Sequence, residues 1–523
     1  MPFQISPGVN VSEIDLTNII PAVSTTEGGI AGVFQWGPVN TPTLVSSEVD
    51  MRNRFGYPKT GYNVETFYTA ADFLSYGNAL YVVRVSDGNT ATSNTTPDTV
   101  FEAKYPGALG NDLEVHVIDN AAFDTANTVH SIFDAAPTAP DLHIAIVDTV
   151  GRFSRSGGAN TIIERFDNVS ITPGDKNDDG TNNYFLDVIN DRSKYVNMPV
   201  NTTAFNSGVY VLENGTDGSE ESNTAIYSSL TTGYDMLADA DNIDISLVLQ
   251  GKAIGAANDW ELGKYILDNV CDVRRDCVAF ISPHMSDVVG DGLDSATEIV
   301  DFRNGLGSSS YGVMDTGYKY RYDKYNDRYV YTPLNGDIAG LCVRTDDTRD
   351  PWFSPAGYNR GFIKNVIRLA YNPSSRADRD LLYKNGVNPV ITEKGQGTLL
   401  FGDKTLQKNA SAFDRINVRR LFIVLEKAIS KAAKQMLFEF NDEFTRAQFV
   451  NLVEPYLRDV QGRRGIYDFR VVSDATNNTP EVIDRNEFVG DIYVKPARSI
   501  NFIQLNFVAV RTGVEFEEVV GQF

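Results

Sequence analysis

Residues 414–440, DRINVRRLFIVLEKAISKAAKQMLFEF, form the longest stretch of the chain with one unbroken helical period. Val418, Leu421, Phe422, Leu425, Ile429, Ala432, Ala433, Met436 and Phe440 recur at spacings of three and four, which draws an apolar stripe along a helix. Lys427, Lys431 and Lys434 recur on the opposite side, with Arg419 and Arg420 near the start. One face must bury against its own domain, and the other presents a row of positive charge. Such rows are commonly solvated surface, but this one belongs to a chain of net charge -23.

That charge argues against nucleic acid as a direct partner, because binding a phosphate backbone needs a basic surface. It is also uneven. Residues 90–240 carry 22 acidic and 7 basic side chains, whereas 415–470 carry 7 acidic and 11 basic. The chain, at 523 residues, is long enough for about three domains and a large core. No run of about eighteen apolar residues occurs, so no membrane span is expected, and MPFQISPG lacks the features of a secretory signal. Cys271, Cys277 and Cys342 match no zinc spacing and sit in apolar runs, which reads as buried free thiols in a reducing compartment.

The segment pattern predicts an α+β multidomain chain. An extended arm, 1–22, opens with a Pro-Gly turn and alternates through Val9 and Val11. Residues 28–86 alternate as strand (IAGVF), helix opened by Ser46-Ser47-Glu48 and ending near Gly56, helix from Asn63 to Gly77, and strand (ALYVVRV). The same grammar returns after residue 240 with IDISLVL, a helix around Trp260–Val270, CVAFISP, and a helix around Glu298–Leu306. One α/β domain, 23–88 and 238–364, interrupted by an inserted β-rich domain at 89–237, accounts for this repetition. The insertion is rich in Thr, Asn, Asp and Gly, with strand-like pieces LEVHVI, LHIAIV and YFLDVI, and its acidity fits an outward position. Tyr318, Tyr320, Tyr322, Tyr329 and Tyr331 alternate about Asn326-Asp327 as a hairpin with an aromatic face. The C-terminal domain, 365–523, adds the long helix, a helical stretch interrupted near Pro455, strands YDFRVV and FVGDIYV, and the period-two segment SINFIQLNFVAV.

No constellation for catalysis, cofactor or metal emerges. DKNDDG (175–180) opens like a calcium loop, but Leu186 stands where the bidentate Glu is needed. His116, His130, His143 and His284 are scattered, and GLGSSSYG (305–312) is neither a phosphate loop nor a nucleophile elbow. An enzyme on this α/β core would need convergent polar groups at strand ends, and the sequence shows none. The expectation is a non-enzyme without cofactors.

Four blocks, in order, resemble a known family. SPGVNVSEID (6–15), GGIAGVFQWGPVNTPTLVSSEVDMRNRFG (28–56), AGLCVRTDDTRDPWFSPAGYNRG (339–361) and the C-terminal run from NVRRLFIVLEKAI through GDIYVKPARSINFIQLNF resemble bacteriophage contractile tail sheath proteins. Residues of about 90–237 carry no resemblance. The likeness implies a structural subunit that polymerises with itself as a helical array around a tail tube. Contraction of that array would drive the tube through the host envelope for genome delivery. It implies tube, baseplate and tail terminator proteins as partners, and a place in the virion tail after assembly in the host cytoplasm. It also implies strand exchange between subunits, carried here by Val9, Val11 and Ile14 at the front and by Ile503, Leu505, Phe507, Val514 and Phe516 at the back. Lys427, Lys431 and Lys434 become the candidate tube-facing row. A headless contractile particle, a capsid protein and an adhesin are the alternatives.

Overall fold

The computed structural model describes residues 24–93, 100–153, 158–199, 206–290, 292–501 and 504. The chain is a mixed α+β protein with several sheets. The largest core surrounds a seven-stranded sheet in the order Val387–Asn388, Gly312–Asp315, Val278–Ile281, Leu247–Leu249, Gly28–Val33, Leu80–Val85, Thr43–Val45. All neighbours are parallel except the last pair, and Ile30 lies beside Val82 on one side and Leu249 on the other. Gly28–Val33 and Val278–Ile281 are buried at every position, as parallel strands covered on both faces must be. Among the described residues the strands therefore start mid-sheet, build to one edge, depart, and return on the other side.

Both helices expected between 46 and 77 form. Glu48–Phe55 is capped by the Ser47 side chain, which accepts from the Asp50 N–H, and ends at Gly56 with φ 84°. Val64–Leu74 is buried on all sides, including Glu65 and Asp72. It packs beside helix Asn335–Thr348, both helices lying against the sheet, and glycines let the two approach. A Cβ at Gly336 would sit 2.2 Å from the Thr69 carbonyl oxygen, and one at Gly340 would sit 2.4 Å from the Tyr76 ring.

The excursion forms a second, antiparallel seven-stranded sheet, with strands between Thr92–Ser93 and Gly208–Glu213 around its own core. YFLDVI is not a strand in it. Phe185–Arg192 is a helix, because Phe185, Val188 and Ile189 fall on one buried face at helical spacing. A helix not foreseen from the sequence, Tyr227–Leu237, falls in residues assigned to the insertion and packs Leu230, Tyr234 and Leu237 against Ala31, Val33, Val83 and Val85 of the first sheet. Strand Val387–Asn388 likewise extends that sheet beyond residue 364.

The tyrosine hairpin pairs Tyr320 with Tyr331 and Tyr322 with Tyr329 across a turn at Asp327, φ 47°. The outer rings stack, and Arg368 from the adjoining strand Arg368–Leu369 covers Tyr320 at 4.6 Å. Its inner face buries Lys319 between Asp72 (2.9 Å) and Asp337 (2.7 Å).

The long helix runs Ile416–Ala433 and ends in one tighter turn, Lys434–Met436, short of the 414–440 expected. Asp442 caps the next helix through the Thr445 N–H, so the chain must turn first, and it does so at Phe438 with φ 72°. Helix Glu443–Gly462 passes through Pro455 without the expected interruption. Pro455 and Asn451 lie on the exposed face, where water can satisfy the carbonyl that proline leaves unpaired. Strands Ile466–Val472 and Asp491–Pro496 then pair antiparallel, and Phe469, Val471, Ile492 and Val494 pack onto the two helices around Leu425, Ile429, Phe449 and Val453.

Candidate assembly interface

This two-stranded sheet has no third strand on either edge among the described residues. Exposed rows of backbone N–H and C=O groups are templates for pairing, and proteins normally cover or charge them. Asp468 and Lys495 pair across its outer face, which also exposes Tyr467 and Tyr493. Of the sequence-predicted exchange residues, Val9, Val11, Ile14, Ile503, Leu505, Phe507, Val514 and Phe516 all lie outside the described residues.

The roots of both terminal segments are described. Near the N-terminus, Thr25 Oγ1 donates to Asp346 Oδ2 at 2.6 Å, and Ser246 Oγ donates to the Ser24 carbonyl at 3.2 Å. Both anchors tie to the long helix. Arg420, fully buried, grips Asp346 with two nitrogens at 2.8 and 2.5 Å. Burial pushes the Asp346 carboxyl up against the pull of Arg420. Lys427 donates to Ser246 Oγ (2.9 Å), the Ile245 carbonyl (3.0 Å) and Asp244 (2.8 Å). The expected lysine row is thus divided. Lys427 is turned into the seam with the first sheet, while Lys431 and Lys434 are exposed. Arg419 is also buried, between the Tyr311 and Phe413 rings at 4.4 Å from each.

Phe440, expected on the buried stripe, is exposed. The turn after the long helix presents Leu437, Phe438 and Phe440 to solvent, and the start of the next helix presents Phe444, with exposed Lys431 and Lys434 just before them in the chain. Four large apolar side chains exposed within eight residues, 437–444, exceed the scattered exposure normal for a surface.

After Asp491–Pro496 the chain runs to Asp403, which is buried. Ser499 Oγ donates to Asp403 Oδ2 (2.7 Å), and Asn501 Nδ2 donates to Asp403 Oδ1 (3.2 Å) and to the Tyr383 hydroxyl (2.7 Å). Ser354 and Arg415 donate to the same carboxylate.

One cluster was not visible in the sequence. At the carboxyl ends of the parallel strands, where α/β proteins place ligand sites, Gln250, Ser282, Asp315 and Asn335 converge. Ser282 Oγ donates to Asp315 (2.8 Å) and accepts from Asn335, whose amide also bridges Gly251. Burial pushes the Asp315 carboxyl up to about 8. At the switch point between Gly28–Val33 and Leu247–Leu249, Glu65 receives Lys252 and the Tyr318 hydroxyl. Glu221, on the segment returning from the insertion, accepts from the Glu65 and Thr66 backbone N–H groups at 2.9 Å each. The bonded pairs named here stand from 33 (Ser282 and Asp315) to 253 (Glu65 and Tyr318) residues apart in the chain, so no local pattern betrays them. The groups are buried and hydrogen-bonded to each other, which fills the crevice with protein. Cys271 and Cys277 are buried and free, with sulfurs 3.6 Å apart, and His143 is stacked on Phe133. Among the described residues no group of His, Cys, Asp and Glu is arranged to hold a metal ion.

The architecture is that of contractile sheath subunits. It matches a sheath tail protein from Listeria innocua with a TM-score of 0.58 at 12% identity, covering 92% of this chain and 97% of that one. The sheath of an extracellular contractile injection system in its contracted state matches with a TM-score of 0.55 at 12% identity, covering 99% and 100%. Sequence comparison then fixes the family. Residues 28–85 match the tail sheath protein Gp18 domain III N-terminal region, 244–406 the phage tail sheath protein central domain, and 408–509 the phage tail sheath C-terminal domain. The tail sheath protein of Vibrio phage KVP40 is 35% identical over 99% of this chain and all of its own length. That of Enterobacteria phage T4 is 31% identical over 99% of each. The chain belongs to the phage tail sheath protein family.

Proposed function

We propose that this chain polymerises into a contractile sheath whose subunits are linked by exchanged strands at the Ile466–Val472/Asp491–Pro496 sheet. The observation that carries this reading is the two-stranded sheet with both edges unpaired among the described residues. The chain also holds period-two segments at both termini, around Val9, Val11 and Ile14, and around Ile503, Leu505, Phe507, Val514 and Phe516. Strands added to open edges satisfy their backbone groups and link molecules by β-augmentation. Each subunit is then donor on one surface and acceptor on another, a heterologous contact that propagates as an open helix.

Function in this reading is mechanical and needs no catalysis. The array assembles in the host cytoplasm around a tail tube, between a baseplate and a terminator, and shortens by rigid-body rotation of subunits between two packings. The exchanged strands hold while other contacts swap, and the tube is driven through the host envelope. The insertion, acidic and built on its own sheet, lies outward. The exposed run of Leu437, Phe438, Phe440 and Phe444, with Lys431 and Lys434 just before it in the chain, faces the tube. Lysines suit a breakable contact because they are strongly hydrated and pair as point charges.

Electron microscopy of the purified protein tests the reading, and hollow tubes are the expected form. Val9→Asp/Val11→Asp and Leu505→Asp/Phe507→Asp place charge in the strand faces and should each leave dispersed subunits at concentrations where the parent chain forms tubes. Tubes formed equally well by both variants would refute strand exchange.

A further inference from the structure

We propose that Asp403 is the anchor that sets the starting point and side-chain parity of the donated C-terminal strand. This rests on the strand-exchange reading above and assigns positioning residues to it.

Asp403 joins segments far apart in the chain. Its carboxylate accepts from Ser354 (3.1 Å), Ser499 (2.7 Å), Asn501 (3.2 Å) and Arg415 (3.3 Å), and Tyr383 stands beside it with its hydroxyl 3.4 Å away. The Tyr383 hydroxyl accepts from both Arg415 (2.5 Å) and Asn501 (2.7 Å). Lys404 lies 4.4 Å from the centre of the same ring. Two of these groups, Ser499 and Asn501, belong to the last described run of the chain.

Two consequences follow. The first concerns self-pairing. A hairpin back onto Asp491–Pro496 needs a turn of about two to five residues directly after Pro496. Here Ala497 still bonds to the Gly465 carbonyl (3.0 Å), and 499 and 501 are held at Asp403. The residues that would make such a turn are committed elsewhere, so a tight hairpin onto Asp491–Pro496 is closed to the chain at this point.

The second concerns parity. Ser499 and Asn501 point into the anchor, whereas Ile500 between them is 82% exposed, so successive side chains of this run already lie on opposite sides. Ile503, Leu505 and Phe507 share the parity of Ser499 and Asn501. A one-residue slip in a strand moves every side chain to the other face. Holding 499 and 501 therefore dictates which face of the following strand carries its apolar row.

The test uses full-length protein and the critical concentration for tube formation, read by sedimentation, beside a thermal melt of the dispersed form. Ser499→Ala/Asn501→Ala should raise the critical concentration at least tenfold with little change in melting. Insertion of one glycine after Asn501 should abolish tubes, and insertion of two should restore them. With the anchor removed by Ser499→Ala/Asn501→Ala, the one- and two-glycine insertions should become equivalent. If one and two inserted glycines act alike in the otherwise unaltered chain, or the double alanine variant assembles at the parent concentration, the anchor is overturned while strand exchange stands. If Leu505→Asp/Phe507→Asp forms tubes at the parent concentration, C-terminal strand donation fails, and the anchor with it.

Discussion

Replacing Arg420 with methionine should be among the costliest single changes in the long helix. Arg420 and Asp346 are about 95% buried, and their bidentate contact joins the long helix to helix Asn335–Thr348. Methionine fills most of the volume but leaves Asp346 with Thr25 as its remaining side-chain donor. Stranding one buried charge of such a pair costs about 3–5 kcal/mol. Unfolding entropy of about 2.1 cal/mol/K per residue, applied to 523 residues, gives about 1.1 kcal/mol/K. A single cooperative transition would then drop by about 3–5 °C, and a smaller C-terminal unit melting alone would drop further. Differential scanning calorimetry of dispersed protein measures the shift and shows whether one transition or two respond. Asp346→Leu added to Arg420→Met removes the stranded charge and should recover most of the loss. A loss under about 1 kcal/mol in the single variant, a size typical of exposed pairs, would refute the reasoning. So would a double variant as unstable as the single one.

Asp315 gives a pH prediction. Burial holds its carboxyl at about 8 in the fold, whereas an unfolded aspartate titrates near about 3.9. Between those values the fold keeps a proton that the unfolded chain releases, so this contribution is fully present below about pH 4 and is lost as pH rises to 8. Asp315→Asn cannot ionise, so the stability difference between pH 5 and pH 8 should shrink in denaturant titrations, and an unchanged difference would contradict the assignment. Gly336→Ala forces a methyl group toward the Thr69 carbonyl. Backbone cannot give way as a side-chain tip can, so a loss of about 1–3 kcal/mol is expected, and a variant of parent stability would show that the helices can part at no cost. Lys427→Met should lower the melting temperature, whereas Lys431→Met should leave it within error, because only Lys427 is bonded across the seam.

What was legible in the sequence was local. Ser47, Gly56, the Val64–Leu74 helix and the Tyr318–Pro333 hairpin carry their own start, stop and turn signals, and each forms where those signals stand. The mixed α+β character with several sheets was legible from repeated grammar, but which segments join which sheet was not. Helix Tyr227–Leu237 and strand Val387–Asn388 are too short or too plain to announce which sheet they join. The long helix misled at its end because Phe440 continues the period, whereas the cap at Asp442 decides where the chain turns. Lys427 and Arg420 misled for a related reason. Their partners, Asp244 and Asp346, come from other segments, and periodicity assigns a face without saying what lies opposite it. The same holds for Gln250, Ser282, Asp315, Asn335 and Glu221, which meet only once the strands align.

The filled crevice at the strand ends has a mechanical meaning. In a doubly wound sheet the gap at the reversal of strand order is a natural crease, a place where two halves can flex about a small guest. Here Glu221 and the Glu65–Lys252 pair plug that gap with the protein's own side chains. A body sealed in this way has lost its crease, so a push on one flank reaches the other with little give.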